Sequence, residues 1–95
     1  MSTDVYVSIG NSDDKLSQVE WSRYCQEVRE ALGRRGSYLG VWYSLPDSPW
    51  QNACFCLQFE TPYIASLAAK AVQEIRLRYH QDSAAWAEVP VTDFI

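Results

Sequence analysis

The sequence predicts an α+β fold whose elements follow the order β-α-β-β-α-β. Three observations support this prediction. Apolar and polar residues alternate in four segments, apolar residues recur every three or four positions in two others, and both helical segments start with a capping signal. This order defines the split β-α-β, or ferredoxin-like, arrangement. We therefore expect residues 1–95 to form one domain with a four-stranded antiparallel sheet of order 4-1-3-2 and two helices on one face.

The first strand and the first helix have clear sequence boundaries. Residues 5–9 alternate in polarity, and the strand is expected to end at Gly10. After a polar loop, Ser17 and Glu20 have the spacing of a capping box, so the helix should begin near residue 18. Gly33 is placed to end it. The apolar stripe of this helix consists of Trp21, Tyr24, Cys25, Val28 and Leu32.

The middle of the chain predicts a hairpin with a long loop. Residues 38–45 and 53–60 both alternate, and the segment 46–49 contains two prolines that stop the first of these strands. Strict alternation assigns one face of the hairpin to Leu39, Val41, Tyr43, Leu45, Ala53, Phe55, Leu57 and Phe59. The same alternation assigns the opposite face to Tyr38, Trp42, Ser44, Cys54, Cys56, Gln58 and Glu60.

The last third of the chain predicts a second helix and an edge strand. Thr61 suits the helix cap and Pro62 suits the first helical position. The helix should end near residue 80 or 81, with Glu74 and Arg78 paired on its solvent side. Residues 85–89 alternate again, and the proline that follows them is typical of a sheet edge.

Composition narrows the function classes. The net charge of -4 disfavours nucleic-acid binding through phosphate neutralisation, and the three cysteines do not suggest a disulfide framework. The chain contains no leader-like segment and no apolar stretch long enough to cross a bilayer, which favours a cytoplasmic protein without membrane contact. Four Trp and six Tyr in a chain this small favour association with other subunits or proteins.

The predicted topology brings three connections to one end of the fold: the loop after the first strand, the hairpin loop and the turn after the second helix. A helix N-terminus and Lys15 could hold an anionic group there, while Trp50 could stack on a ring. The predicted ligand site comprises Gly10, Asn11, Ser12, Asp13, Lys15, Trp50, Gln51, Asn52 and His80. The alternative is that the acidic residues only favour the helix dipole, that Trp50 covers the hairpin and that His80 caps a helix.

A second predicted surface is the sheet face turned away from the helices. Its expected members are Tyr6, Tyr38, Trp42, Cys54, Cys56 and Trp86. An apolar face of this size usually marks an interaction site, and the simplest cover is a second copy of the chain, in a dimer or a larger homo-oligomer. RNA stacking on this face is disfavoured, because the pattern lacks the basic and aromatic residues of RNA-recognition modules.

Catalytic and metal signals are weak, so we predict no catalytic residues, no metal and no cofactor. His80 is the single histidine and has no nucleophile motif beside it, while two neighbouring cysteines are too few for a closed zinc site. A magnesium site at Asp13 and Asp14 would lack a phosphate-binding loop. The sequence thus favours a non-catalytic protein that sequesters a nucleotide-like or other anionic small molecule. Alternatives are a protein inhibitor or adaptor that uses the aromatic face or acidic rim and, more remotely, a cofactor-free enzyme with a cavity between paired sheets.

Overall fold

The computed structural model describes residues 2–90 and 93–95 and has the predicted topology. The elements are β1 (Thr3–Gly10), a short 3-10 turn (Ser12–Asp14), α1 (Gln18–Gly33), β2 (Ser37–Tyr43), β3 (Asn52–Phe59), α2 (Pro62–Arg78) and β4 (Ala85–Val89). The strands form an antiparallel sheet of order β2-β3-β1-β4, which is the predicted order 4-1-3-2 read from the other edge. The ferredoxin-like α+β fold is therefore confirmed.

Both helices start at the predicted caps. The Glu20 amide donates to Ser17 Oγ at 3.2 Å, and the Ser17 amide donates to Glu20 Oε1 at 2.9 Å, which completes the capping box. Thr61 Oγ1 accepts from the Ile64 amide at 3.1 Å, and Pro62 is the first residue of α2. Each cap satisfies amide donors that have no partner inside the helix, so local sequence fixes where α1 and α2 begin.

The ends of the helices depart slightly from expectation. α1 ends at Gly33 as predicted, but no glycine in the described ranges has a positive φ, and the Leu32 carbonyl instead accepts from the amides of residues 35 and 36. α2 ends at Arg78, two residues before the earliest predicted end. His80 then adopts a left-handed conformation, with φ of 56°, and this reverses the chain toward β4.

The two helices are joined by polar contacts as well as by apolar packing. Arg78 Nη2 donates to Glu27 Oε1 at 3.0 Å, and the Tyr79 hydroxyl donates to the same carboxylate. The predicted partner of Arg78, Glu74 of its own helix, was therefore wrong, because a carboxylate on α1 lies within reach. Tyr24 packs its ring against Tyr79 with centroids 5.1 Å apart.

The hydrophobic core lies between the helices and one face of the sheet. Phe55 and Phe59 of β3 are fully buried there, and truncation of either ring would cost about 3–5 kcal/mol. The sheet also contributes Val5, Val7, Ile9 and Leu57, α1 contributes Tyr24, Val28 and Leu32, and α2 contributes Ala65, Ala68, Val72 and Ile75. The helices leave the opposite face of the sheet uncovered.

Candidate functional site: a groove at the loop end of the sheet

The three predicted connections meet at one end of the sheet and are hydrogen-bonded to one another. The Asn11 amide donates to the Gln51 carbonyl at 3.1 Å, which ties the loop after β1 to the hairpin loop. The Ser12 amide donates to Gln81 Oε1 at 2.7 Å, which ties the same loop to the turn after α2. These contacts join segments that are far apart in the sequence, so the three connections form one surface.

The buried side chain of Asn11 connects the loop after β1 to the hairpin loop. Its side chain is buried, donates to the Leu16 carbonyl at 3.0 Å and to Gln51 Oε1 at 2.7 Å, and accepts from the Leu16 amide at 2.9 Å. Gln51 in turn donates to Gln18 Oε1 at 3.0 Å. Asn11 and Gln51, which the sequence placed in the ligand site, thus use their amide groups within the fold and line the groove only as its supports.

Several backbone amides of the loop after β1, which the sequence suggested as donors to an anion, are bonded inside the fold. The Asp14 amide donates to the Asn11 carbonyl at 3.1 Å, and the Lys15 amide donates to the Ser12 carbonyl at 3.1 Å. Lys15 Nζ is paired with Asp82 at 3.1 Å. These donors already have internal partners, and the surrounding carboxylates would repel a second negative charge, so the geometry does not favour the predicted anion site.

The same end of the sheet contains an open groove of about 450 Å³. The indole of Trp50 forms one wall, and its 68% exposed fraction leaves the ring free to stack. Polar atoms of Ser8, Ser12, Asn52 and Ser83 surround the groove. Predicted residues Gly10, Ser12, Asp13, Trp50 and Asn52 are therefore brought together, whereas Lys15 is not among the lining residues.

Gly10 permits the close approach that shapes this groove. A Cβ atom at position 10 would lie 3.0 Å from Asn52 Oδ1, so a larger residue would have to displace the Asn52 side chain. The Asn52 amide group donates to the Trp50 carbonyl at 3.4 Å, and its backbone amide donates to Ser44 Oγ at 3.1 Å. Asn52 is thus positioned beside Trp50 by contacts within the hairpin.

His80 does not line the groove, although the sequence placed it in the ligand site. It is exposed, and the left-handed turn at this position points the chain so that the next residue, Gln81, enters the protein instead. Gln81 is 3% exposed, accepts from Ser12 and donates to the Tyr79 carbonyl at 3.1 Å. Gln81 was not predicted as a site residue, because a glutamine after a helix gives no signal that it will be buried.

The open face of the sheet carries four of the six residues predicted for an interface. Tyr6 pairs with Cys56, which pairs with Gly40, and Cys54 pairs with Trp42 in the adjacent row. The Trp42 indole lies directly over Gly40, where a Cβ atom would meet its ring at 2.7 Å. Tyr6 and Trp42 remain 43% and 54% exposed, respectively.

The predicted face was wrong for Tyr38 and Trp86. Tyr38 pairs with Leu57, and a register shift between Tyr38 and Gly40 breaks the alternation on which the prediction depended. The Tyr38 hydroxyl donates to the Arg29 carbonyl on α1. Trp86 pairs with the buried Val7, which turns it toward the helix side of the sheet. There its ring stacks on Phe59 with centroids 5.9 Å apart.

The free thiols of the described residues lie on α1 and β3. Cys25, Cys54 and Cys56 are free thiols. Burial raises the pKa of Cys25 to about 11, which keeps this thiol protonated at neutral pH. Across residues 2–90 and 93–95, no three His, Cys, Asp or Glu side chains come together as a metal-binding group. No helix in these ranges is both long and apolar enough to span a membrane.

Comparison with known proteins supports the fold and leaves the function open. No protein-family model matches the sequence, and a search of curated proteins finds no match. A hypothetical protein from Arabidopsis thaliana aligns over 98% of this chain and 91% of its own, with 10% identity and a TM-score of 0.62. A protein assigned as an antibiotic biosynthesis monooxygenase from Chloroflexus aurantiacus aligns over 99% and 97%, with 11% identity and a TM-score of 0.53.

A third similar structure matches this chain over only part of its own length. An amidohydrolase/peptidase assigned in Burkholderia cenocepacia has 10% identity and a TM-score of 0.58, covering 93% of this chain but 27% of that one. At these identities the similarity concerns the backbone arrangement alone. It does not transfer the activity of any of these proteins to this chain.

Proposed function

We propose that this protein is a non-catalytic binding protein that holds a small, uncharged ring compound in the groove beside Trp50. The observation that supports this most directly is the exposed Trp50 indole, which stands next to Asn52 over a hydrogen-bonded floor. Aromatic stacking would hold the ring, and the Asn52 amide and the serine hydroxyls would bond to its polar substituents. A nucleoside or a sugar-like ring has this chemistry.

Local charge favours an uncharged ligand over the anionic one expected from the sequence. Asp13 lines the groove, and Asp14 follows it in the same connection. The nearby cation, Lys15, is paired with Asp82. A ligand with a phosphate would meet this negative charge without a Lys or Arg among the lining residues to offset it, so a phosphate should weaken binding.

A titration with adenosine and adenosine 5′-monophosphate tests this proposal, because the two probes share a ring and differ in charge. In two-dimensional NMR spectra, adenosine should shift the Trp50 indole and Asn52 signals, and the monophosphate should bind more weakly. Trp50→Ala should weaken adenosine binding at least fivefold, since stacking contributes about 1–3 kcal/mol. Tyr63→Ala, which removes a 70% exposed ring on α2, is the matched control and should change nothing.

Each other outcome has a defined meaning. If the monophosphate binds more tightly, the charge argument is wrong and the anionic hypothesis is restored. If neither probe shifts Trp50 or Asn52 at millimolar concentration, the groove does not bind nucleosides and the proposal is overturned.

A second proposal concerns the open sheet face, which we propose packs against a second copy of this chain. The two central rows contain small residues and two aromatic rings: Ala87, Tyr6, Cys56 and Gly40, then Ala85, Ser8, Cys54 and Trp42. These two rows contain no Asp, Glu, Lys or Arg, and Asp4 adds a carboxylate in the row beyond. A flat surface without charge can approach its own copy across a two-fold axis without electrostatic repulsion.

The size of this face predicts a weak dimer. Four strands about 4.8 Å apart, with about seven residues each at ~3.4 Å, present roughly 450 Å² per subunit. Stable dimers usually bury about 800 Å² per partner, so we expect dissociation in the micromolar range. Sedimentation over a range of concentrations should show a monomer–dimer equilibrium that Trp42→Glu abolishes and Trp50→Glu preserves. A monomer at every concentration up to millimolar would overturn this proposal.

A further inference from the structure

A second groove lies on the helix side of the sheet, between α2 and the edge strand β4. The helices pack over the centre of the sheet, and Trp86 of β4 is only half-buried. The gap that this leaves has a volume of about 290 Å³. Its apolar part is formed by Val7, Ala69, Val72 and Trp86, all on the inner side of β1, β4 and α2. The groove is therefore an opening into the edge of the hydrophobic core.

Arg76 places a positive charge at this opening. Its guanidinium is partly buried and donates from Nη1 to the carbonyls of Gln81 and Asp82, at 2.8 and 3.2 Å. Within residues 2–90 and 93–95, the ion pairs join Lys15 to Asp82 and Arg78 to Glu27, so neither includes Arg76. A partly buried guanidinium that is bonded only to neutral carbonyls retains its attraction for an anion.

Asp82 is the one acidic residue among those that line this groove. Its side chain is 67% exposed and is bound by Lys15 at 3.1 Å. Exposure and this pairing both reduce the field that Asp82 exerts on Arg76. The positive charge of Arg76 therefore remains available toward the groove.

We propose that this groove binds a small monocarboxylate that carries an aromatic ring or a short hydrocarbon chain. The carboxylate would accept hydrogen bonds from the Arg76 guanidinium, which suits this group better than a lysine would. The apolar part would lie between Val72 and Trp86. A volume of about 290 Å³ is at the lower limit for ligand sites, which restricts the occupant to roughly ten non-hydrogen atoms.

Phenylacetate and 2-phenylethanol form a matched pair of probes, because they share the ring and differ in the charged group. Phenylacetate should shift the NMR signals of Trp86 and Ala69 with a dissociation constant in the millimolar range or below. The alcohol should bind at least tenfold more weakly, since it lacks the charge-assisted hydrogen bonds. Equal binding of the two probes, or no shift at Trp86 with either, would overturn the proposal.

Three variants locate the site. Arg76→Gln should weaken phenylacetate binding at least tenfold, whereas Arg78→Gln, on the same helix but paired with Glu27, should leave it unchanged. Because Arg76→Gln also removes bonds to two carbonyls, Ala69→Leu provides an independent test that fills the apolar part and leaves Arg76 in place. Unchanged binding in both Arg76→Gln and Ala69→Leu would refute the assignment.

The two grooves can be tested separately. They share only Ser83 and Ala85 among their lining residues, and Trp50 belongs to the loop-end groove alone. Trp50→Ala should therefore leave phenylacetate binding intact. Loss of phenylacetate binding in Trp50→Ala would place the carboxylate in the loop-end groove and would contradict the site proposed here.

Discussion

Replacement of Tyr24 by phenylalanine should stabilise the protein, although it removes a polar group that the sequence would suggest is useful. Tyr24 is fully buried between the helices and the sheet, and its hydroxyl has no hydrogen-bond partner within the described ranges. Burial raises the pKa of Tyr24 to about 12, above its ordinary value of 10.0. The ring itself packs well, with centroids 6.0 Å from Trp21 and 5.1 Å from Tyr79.

The expected gain follows from two opposing contributions. A buried hydroxyl without a partner costs about 1–3 kcal/mol relative to its hydrated state. Its removal leaves a void of roughly 15 Å³, which costs about 0.4 kcal/mol at 24 cal/mol per Å³. The Tyr24→Phe variant should therefore gain about 1 kcal/mol, which corresponds to a rise of about 4–8 °C in Tm for a domain of this size.

Urea unfolding at pH 7, followed by circular dichroism, measures this gain directly. Tyr79→Phe is the matched control and should lose about 1 kcal/mol, because the Tyr79 hydroxyl donates to Glu27. A loss of stability in Tyr24→Phe would refute the reasoning, since it would show that the Tyr24 hydroxyl is hydrogen-bonded in solution.

The stability of the Tyr24→Phe variant at alkaline pH provides a second test. Because the folded pKa of Tyr24 is raised, its neutral form favours folding, and this contribution is lost as pH rises from the unfolded pKa through the folded one. Wild type should lose stability between about pH 10 and 12, and at pH 11 the Tyr24→Phe variant should avoid about 1.4 kcal/mol of that loss. An advantage that does not grow with pH would contradict the raised pKa.

Three further predictions concern the loop end, the helix contact and the open face. Asn11→Ala should cost about 2–3 kcal/mol in urea unfolding, because it leaves the buried amide and carbonyl of Leu16 without their partner. Hydrogen bonding from Tyr79, together with the Arg78 ion pair, lowers the pKa of Glu27. Glu27→Gln should therefore cost about 0.5–1 kcal/mol of unfolding free energy at pH 7. This difference between the variant and wild type should disappear as pH falls through the lowered pKa. Gly40→Ala should displace the overlying indole and cost about 1 kcal/mol, visible as a shifted indole NMR signal.

The position of the candidate site could be predicted from the sequence, but its chemistry could not. The gathering of three connections could be predicted, since antiparallel strand directions follow from the order of elements. The chemistry of that end could not, because Asn11 and Ser12 bond to Gln51 and Gln81, which are distant in sequence. An anion site was predicted from a helix start, and in the structure the amides of Asp14 and Lys15 are bonded to carbonyls of the same loop.

The sequence by itself determined the elements and their caps, because hydrophobic periodicity and capping are local properties of the chain. The strand order followed from the arrangement that this order of elements usually adopts. The sequence could not determine which face Tyr38 and Trp86 occupy, since a single register shift in β2 and the pairing of Trp86 with Val7 decide this. The groove beside Arg76 likewise exists only because the helices leave the helix-side face of β4 partly open. Register and layer packing depend on contacts between distant segments, so only the tertiary structure decided where the open face and the grooves lie.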